Sequence, residues 1–168
     1  KHEALFTIET NKLKDIISSL LYAINAEPTK PALNGAYFNF DQACIDFVAT
    51  DGHRLVKITK QNETNIQKGF IIPKKYLNIL NTFLEGQKET SLIFSENHVF
   101  SNNGKDVFYS KIIDEKFPNY NAVIPSENSE KLTAQKTEML NNIKAASIAT
   151  NKNTNQISLN FSEGKVYF

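Results

Sequence analysis

Gly69-Phe70-Ile71-Ile72-Pro73-Lys74-Lys75-Tyr76-Leu77 joins a short apolar run to a proline and then to a helical pattern. The run reads as a strand, and Pro73 suits the first helical position, where the amide it lacks has no partner anyway. Leu77, Leu80, Phe83 and Leu84 then recur with helical period, Gly86 stops the helix, and Lys74, Lys75, Asn78 and Asn81 fall on its other side. Three alternating runs follow, Ser91 to Ser95, His98 to Asn102 and Asp106 to Lys111, with connections short enough for an antiparallel meander.

Upstream the same order occurs once already. Leu5-Phe6-Thr7-Ile8-Glu9 alternates as a half-buried strand does, and Thr10 or Asn11 is placed to cap a helix with the apolar stripe Leu13, Ile16, Ile17, Leu20, Leu21 and Ile24. Asn11, Asp15, Ser18, Ser19 and Tyr22 make its polar face. Two prolines in Glu27-Pro28-Thr29-Lys30-Pro31 force a loop, and the runs Gly35 to Phe40, Cys44 to Ala49 and Arg54 to Thr59 again alternate. A strand-helix-three-strand unit is therefore present twice, an internal duplication in an α+β chain with antiparallel sheets.

Phe117 to Pro125, with two prolines and little periodicity, reads as a linker. Beyond it the unit restarts, with Lys131-Leu132-Thr133 as opening strand and a helix from Lys136 to Ala149 that places Met139, Leu140, Ile143 and Ala146 on one face. Ile157 to Phe161 and Val166 to Phe168 read as further strands. The expected organisation is one complete domain over residues 1–126 and the first part of a second over residues 127–168.

Composition excludes several classes. A hydrophobic fraction of 40% with 22% charged residues fits a packed globular chain rather than a disordered or fibrous one. Net charge is only +1, so bulk charge gives no independent argument for nucleic acid. The single cysteine, Cys44, excludes an intramolecular disulfide framework and fits a reducing, cytoplasmic setting. No apolar run approaches the roughly 20 residues that span a bilayer, and Lys1-His2-Glu3-Ala4 lacks the apolar core of a secretion signal.

Thr50-Asp51-Gly52-His53-Arg54 admits an enzymatic reading, in which Asp51 and His53 form the acid/base pair of a hydrolase or transferase. It equally reads as a tight turn, since Asp-Gly between alternating strands supplies a positive φ and a local backbone acceptor. Neither serine nor cysteine is placed as an activated nucleophile. His2, His53, His98 and Cys44 lack metal-ligand spacing, and no glycine-rich phosphate loop occurs. No catalytic constellation, metal or cofactor is expected, which favours a binding module. A structural interaction domain without a DNA role is the remaining alternative. Lys12, Lys14, Lys30, Lys74 and Lys75 lie near helix starts or in a loop, where they serve either as a solvated face or as contacts to a phosphate backbone.

Leu33-Asn34-Gly35, Ala49-Thr50-Asp51-Gly52-His53-Arg54-Leu55, Ser110-Lys111-Ile112-Ile113-Asp114 and Phe117-Pro118-Asn119-Tyr120 with Val123-Ile124-Pro125 occur in the order and spacing of bacterial sliding clamps. The chain resembles the middle domain and the start of the C-terminal domain of that family, the DNA polymerase III beta subunit. The resemblance implies the DNA-clamp fold, with two helices facing a channel, and a homodimeric ring in the full-length molecule. It also implies a non-enzymatic processivity factor that encircles double-stranded DNA without sequence preference. Partners would be the catalytic subunit of DNA polymerase III, the clamp loader and repair proteins, each docking a linear motif. Carried over by position, the peptide pocket would take Leu33, Thr50, Gly52, His53, Arg54, Leu55, Pro118 and Val123 from this chain and its other wall from C-terminal residues beyond it. Lys12, Lys14, Lys30, Lys74 and Lys75 would be the DNA contacts. Ala122 and Ala32 stand where some clamps carry a basic and an aromatic residue.

Overall fold

The computed structural model describes residues 4–25, 27, 29–151, 154, 156–162 and 164–167. His2, Pro28 and Phe168, on which sequence expectations fall, lie outside them. The chain divides into two compact units, Lys1–Val123 and Ile124–Phe168.

In the first unit the order is β1 (Ala4–Glu9), α1 (Thr10–Leu21), β2 (Gly35–Phe40), β3 (Cys44–Thr50), β4 (Leu55–Gln61), β5 (Gly69–Pro73), α2 (Lys74–Phe83), β6 (Glu89–Phe94), β7 (His98–Asn102) and β8 (Val107–Lys111). This is the duplicated α+β unit. Its strands form two antiparallel four-stranded sheets, ordered β1-β6-β7-β8 and β4-β3-β2-β5. Each opening strand therefore leaves its own meander and pairs with that of the other copy, Phe6 opposite Leu92 and Ile72 opposite Ala36. The cause is local. No loop separates β1 from α1, and α1 packs on strands of both sheets, so the chain re-emerges on the far side of the core.

The core fills the space between the sheets and beneath the helices. Leu13, Ile16, Ile17 and Leu20 of α1 and Tyr76, Leu77 and Leu80 of α2 meet Phe38, Phe47, Phe70, Leu92, Phe94 and Val99. Leu13, Ile17, Leu20, Leu77 and Leu80 are each 0% exposed, and burial of a side chain of this size stabilises by about 1.5–3 kcal/mol. Helical periodicity had indicated all of these helix positions except Tyr76.

The helix starts differ from expectation. The N-cap of α1 is Glu9, and Thr10 is the first helical residue, buried with its hydroxyl 2.8 Å from that of Thr90. Pro73 ends β5 and is itself the N-cap of α2, one position earlier than N1, because its amide-free edge closes the strand as well.

A smaller cluster covers the outer face of the second sheet. Leu33, Val48, Ile71, Phe117 and Tyr120 are buried together, with Ala32, Tyr37, Leu55 and Ile113 packed against them. The segment after β8 thus folds back across β2 and β3, so β3 is buried on both faces. The ring of Tyr37 stacks on Phe117 at 4.8 Å and lies over Gly69, where an added Cβ would run into it.

In the second unit α3 (Lys136–Ile148) leaves Met139, Ile143 and Ala146 half-buried and Leu140 exposed. Lys131–Thr133 does not form the expected strand: no sheet partner is present for it among the described residues. The strand expected over residues 157–161 is confined to β9 (Asn160–Ser162), paired antiparallel with β10 (Lys165–Tyr167).

Candidate functional site

Between β3 and β4 the chain turns through Asp51-Gly52-His53-Arg54, with Thr50 paired to Leu55 at its base. The loop is four residues long rather than a two-residue hairpin, and Gly52 takes φ 93°, a conformation that costs a side-chain-bearing residue. The Gly52, His53 and Arg54 amides are consumed internally. The Asp51 carboxylate accepts from the amides of His53 (2.9 Å) and Arg54 (3.0 Å) and from Arg54 Nε (2.9 Å). The Thr50 hydroxyl donates to the Arg54 carbonyl at 2.7 Å and accepts from the Gly52 amide at 3.0 Å. The His53 amide, ahead of the Arg54 amide and guanidinium, outweighs partial burial and holds the Asp51 carboxyl down to about 2.

That arrangement removes the basis of the acid/base pair. Asp51 bonds the backbone of His53, not its imidazole, and its remaining oxygen is engaged by Arg54. A general base must reach the proton it takes, and these bonds orient a turn instead.

The turn forms one side of a cavity of about 510 Å³ lined by Leu33, Thr50, Gly52, His53, Arg54, Leu55, Pro118, Asn119, Tyr120 and Val123. All eight residues carried over from the family pattern line this one depression, together with Asn119 and Tyr120, which that pattern had supplied only as part of a motif. Leu33 reaches it from the short helical turn Pro31–Leu33, and Val123 from a second one, Tyr120–Val123. Val123 is 70% exposed, an apolar side chain left facing solvent at the rim.

Behind the cavity lies a polar network that alternation along β3 had not indicated. Asp46, 6% exposed, accepts from Thr59 Oγ1 at 2.6 Å and from the Tyr120 hydroxyl at 2.9 Å, and pairs with Lys57 Nζ at 3.0 Å. Lys57 also donates to Asn121 at 3.3 Å, and Asn39 donates to the Tyr120 hydroxyl at 3.2 Å. Burial pushes the Asp46 carboxyl up, but the bonds from Thr59, Lys57 and Tyr120 outweigh it, and the group lies below its ordinary range. Burial and then the bond to Asp46 push the Tyr120 phenol up to about 12. The network fastens residues 120 and 121, and with them the cavity's second side, to β3 and β4.

The five candidate lysines are not equivalent. Lys12 is exposed on α1 and pairs with Glu9 at 2.8 Å, and Lys14 is half-buried. Lys74 donates to the Ile24 carbonyl at 3.2 Å, tying the start of α2 to the segment after α1, whereas Lys75 is exposed. Lys30 is exposed and its ammonium lies over the turn, 3.8 Å from where a Cβ on Gly52 would stand. Among the described residues no helix is long and apolar enough to cross a membrane.

Two four-stranded sheets that exchange their opening strands, with a pair of helices packed over the core, are an architecture this chain shares with solved DNA sliding clamps. A clamp from Pseudomonas aeruginosa superposes with a TM-score of 0.90 at 25% identity, over 97% of this chain and 46% of that one. A DNA polymerase III subunit beta from Bartonella birtlesii, solved bound to griselimycin, gives 0.81 at 31% identity over 89% of this chain and 42% of that one. The beta sliding clamp of Treponema pallidum is 29% identical over 159 residues, covering 94% of this chain and 43% of its own length. Residues 7–119 match the family model of the DNA polymerase III beta subunit, central domain. The chain belongs to the DNA polymerase III beta subunit family and spans a little under half the length of these relatives.

Proposed function

We propose that this chain is the part of a ring-shaped processivity clamp that supplies a peptide-docking wall and a stretch of channel. The ring is a homodimer that encircles duplex DNA without reading sequence and tethers the polymerase catalytic subunit, the clamp loader and repair proteins through linear motifs. It does this in the cytoplasm without catalysis of its own. The cavity carries the reading: an apolar base of Leu33, Leu55 and Pro118, with Val123 at the rim beside the polar Thr50, His53 and Arg54, is what an apolar linear motif needs, with anchors below and orienting donors above.

A fluorescent peptide bearing such a motif, titrated against the full-length protein, tests it. Leu55→Ala and Arg54→Ala each weaken binding by about tenfold or more if the cavity is the dock, the loss ordinary for an interface anchor. Unchanged affinity in both refutes the assignment. For the DNA face, Lys75 and Lys12 are the exposed helix lysines among the five candidates, and their removal from the full-length protein flattens the dependence of DNA affinity on salt. An unaltered slope rejects those contacts.

A further inference from the structure

Tyr22 follows directly on α1 and is 64% exposed. Its neighbours Leu21, Ala23 and Ile24 all pack into the main core, but the Tyr22 ring belongs to neither apolar cluster. Its contact is with the turn: the Arg54 guanidinium carbon lies 4.1 Å from the ring centroid. Arg54 is thus held from two directions, with Nε bonded to Asp51 at 2.9 Å and the guanidinium carbon over the Tyr22 ring. Its side chain is 49% exposed, and an arginine so placed would otherwise distribute over many rotamers, with an entropic cost each time a ligand required one of them. Asp51 cannot be the sole guide, because one bond to Nε still lets the guanidinium pivot about it.

We infer that Tyr22 is a positioning residue for the cavity, presetting the orientation in which Arg54 meets a bound peptide. The inference rests on the reading of the cavity as a peptide dock. Tyr22 does not line the cavity, so it acts through Arg54 alone. An aromatic face contributes attraction that an aliphatic side chain of similar size lacks, which makes phenylalanine the conservative replacement and leucine the disabling one.

The experiment is the same peptide titration on the full-length protein with Tyr22→Phe, Tyr22→Leu, Arg54→Ala and the double variant Tyr22→Leu/Arg54→Ala, beside Leu55→Ala. Tyr22→Leu is expected to weaken binding about threefold, the scale of an exposed cation–π contact, and Tyr22→Phe to keep the parent affinity. The double variant should bind no more weakly than Arg54→Ala. Without peptide, the ring-current displacement of the Arg54 side-chain protons in NMR should persist in Tyr22→Phe and vanish in Tyr22→Leu. Parent-like affinity in Tyr22→Leu while Arg54→Ala binds weakly overturns the positioning role and leaves the dock intact. Losses that multiply in the double variant overturn action through Arg54. No loss in either Arg54→Ala or Leu55→Ala sinks the dock and this inference together.

Discussion

Asp46→Asn exchanges one oxygen of a buried carboxylate for an amide and leaves the shape almost unchanged. Asparagine retains an acceptor for the Thr59 hydroxyl, but at the other position it presents N–H groups to the Lys57 ammonium and the Tyr120 hydroxyl, which lie 3.0 and 2.9 Å from the native oxygen. Breaking a fully buried pair costs about 3–5 kcal/mol. Lys57 is 29% exposed and can recover water, and the Tyr120 hydroxyl can turn to accept, so the expected loss falls to about 2 kcal/mol at pH 7. Urea unfolding followed by tyrosine fluorescence measures it, since Tyr37, Tyr76 and Tyr120 all belong to the first unit. The sign of the pH dependence follows from the lowered carboxyl. Its contribution is present above the unfolded value of about 3.9 and is lost as pH falls through the lower folded value. The gap between parent and variant therefore begins to narrow near pH 4 and closes only below the folded value, because asparagine does not titrate. A loss under about 0.5 kcal/mol at pH 7, or a gap of constant size from pH 7 to pH 3, refutes a charged and paired Asp46.

Other perturbations probe separate links. Thr10→Val strips Thr90 of its buried hydroxyl partner and should cost about 1–3 kcal/mol in the same unfolding experiment, whereas the paired Thr10→Val/Thr90→Val should recover part of it. Gly69→Ala drives a methyl into the Tyr37 ring and should cost about 1–3 kcal/mol; a neutral result would show that the ring moves aside freely. The Asp51 turn should persist well into acid. Its bonds are fully present above the ordinary carboxyl range and are lost as pH falls through about 2, so the amide shifts of His53 and Arg54 in NMR should titrate there rather than near 4.

Periodicity reveals which face of an element is apolar, and where that was the question the sequence answered well. The stripes Leu13 to Ile24 and Leu77 to Leu84 placed both helices, and alternation placed the strands of both meanders. Pairing partners carry no such local signal, so the exchange of β1 and β5 between copies was illegible although every strand in it was recognisable. The burial of Asp46 was illegible for a related reason. In an alternating strand it should face solvent, and only the return of residues 113–123 over that face buries it. The clue lay in Val48, which shares its face with Asp46 and had no reason to be apolar if that face were wet. Lys131–Thr133 offered three residues of pattern, too few to outweigh the lack of a partner strand. The cavity residues could be grouped only through family resemblance, since nothing in residues 33, 55 and 118 themselves brings them together. Tyr22 was assigned to a polar helix face, and its aromatic contact with Arg54 became visible only in three dimensions.

The exchanged strands also set a clock. β1 leaves the ribosome well before β6, its sheet partner among the described residues, so Phe6 must wait for Leu92. At about 5–20 residues per second the nascent strand spends roughly 5–20 s without its ladder. Its exposed edge, with Leu5 and Phe6 in alternation, is open throughout that interval to pairing with other chains. The interval between synthesis of β1 and of β6, rather than the finished molecule, is the stage at which aggregation would be decided.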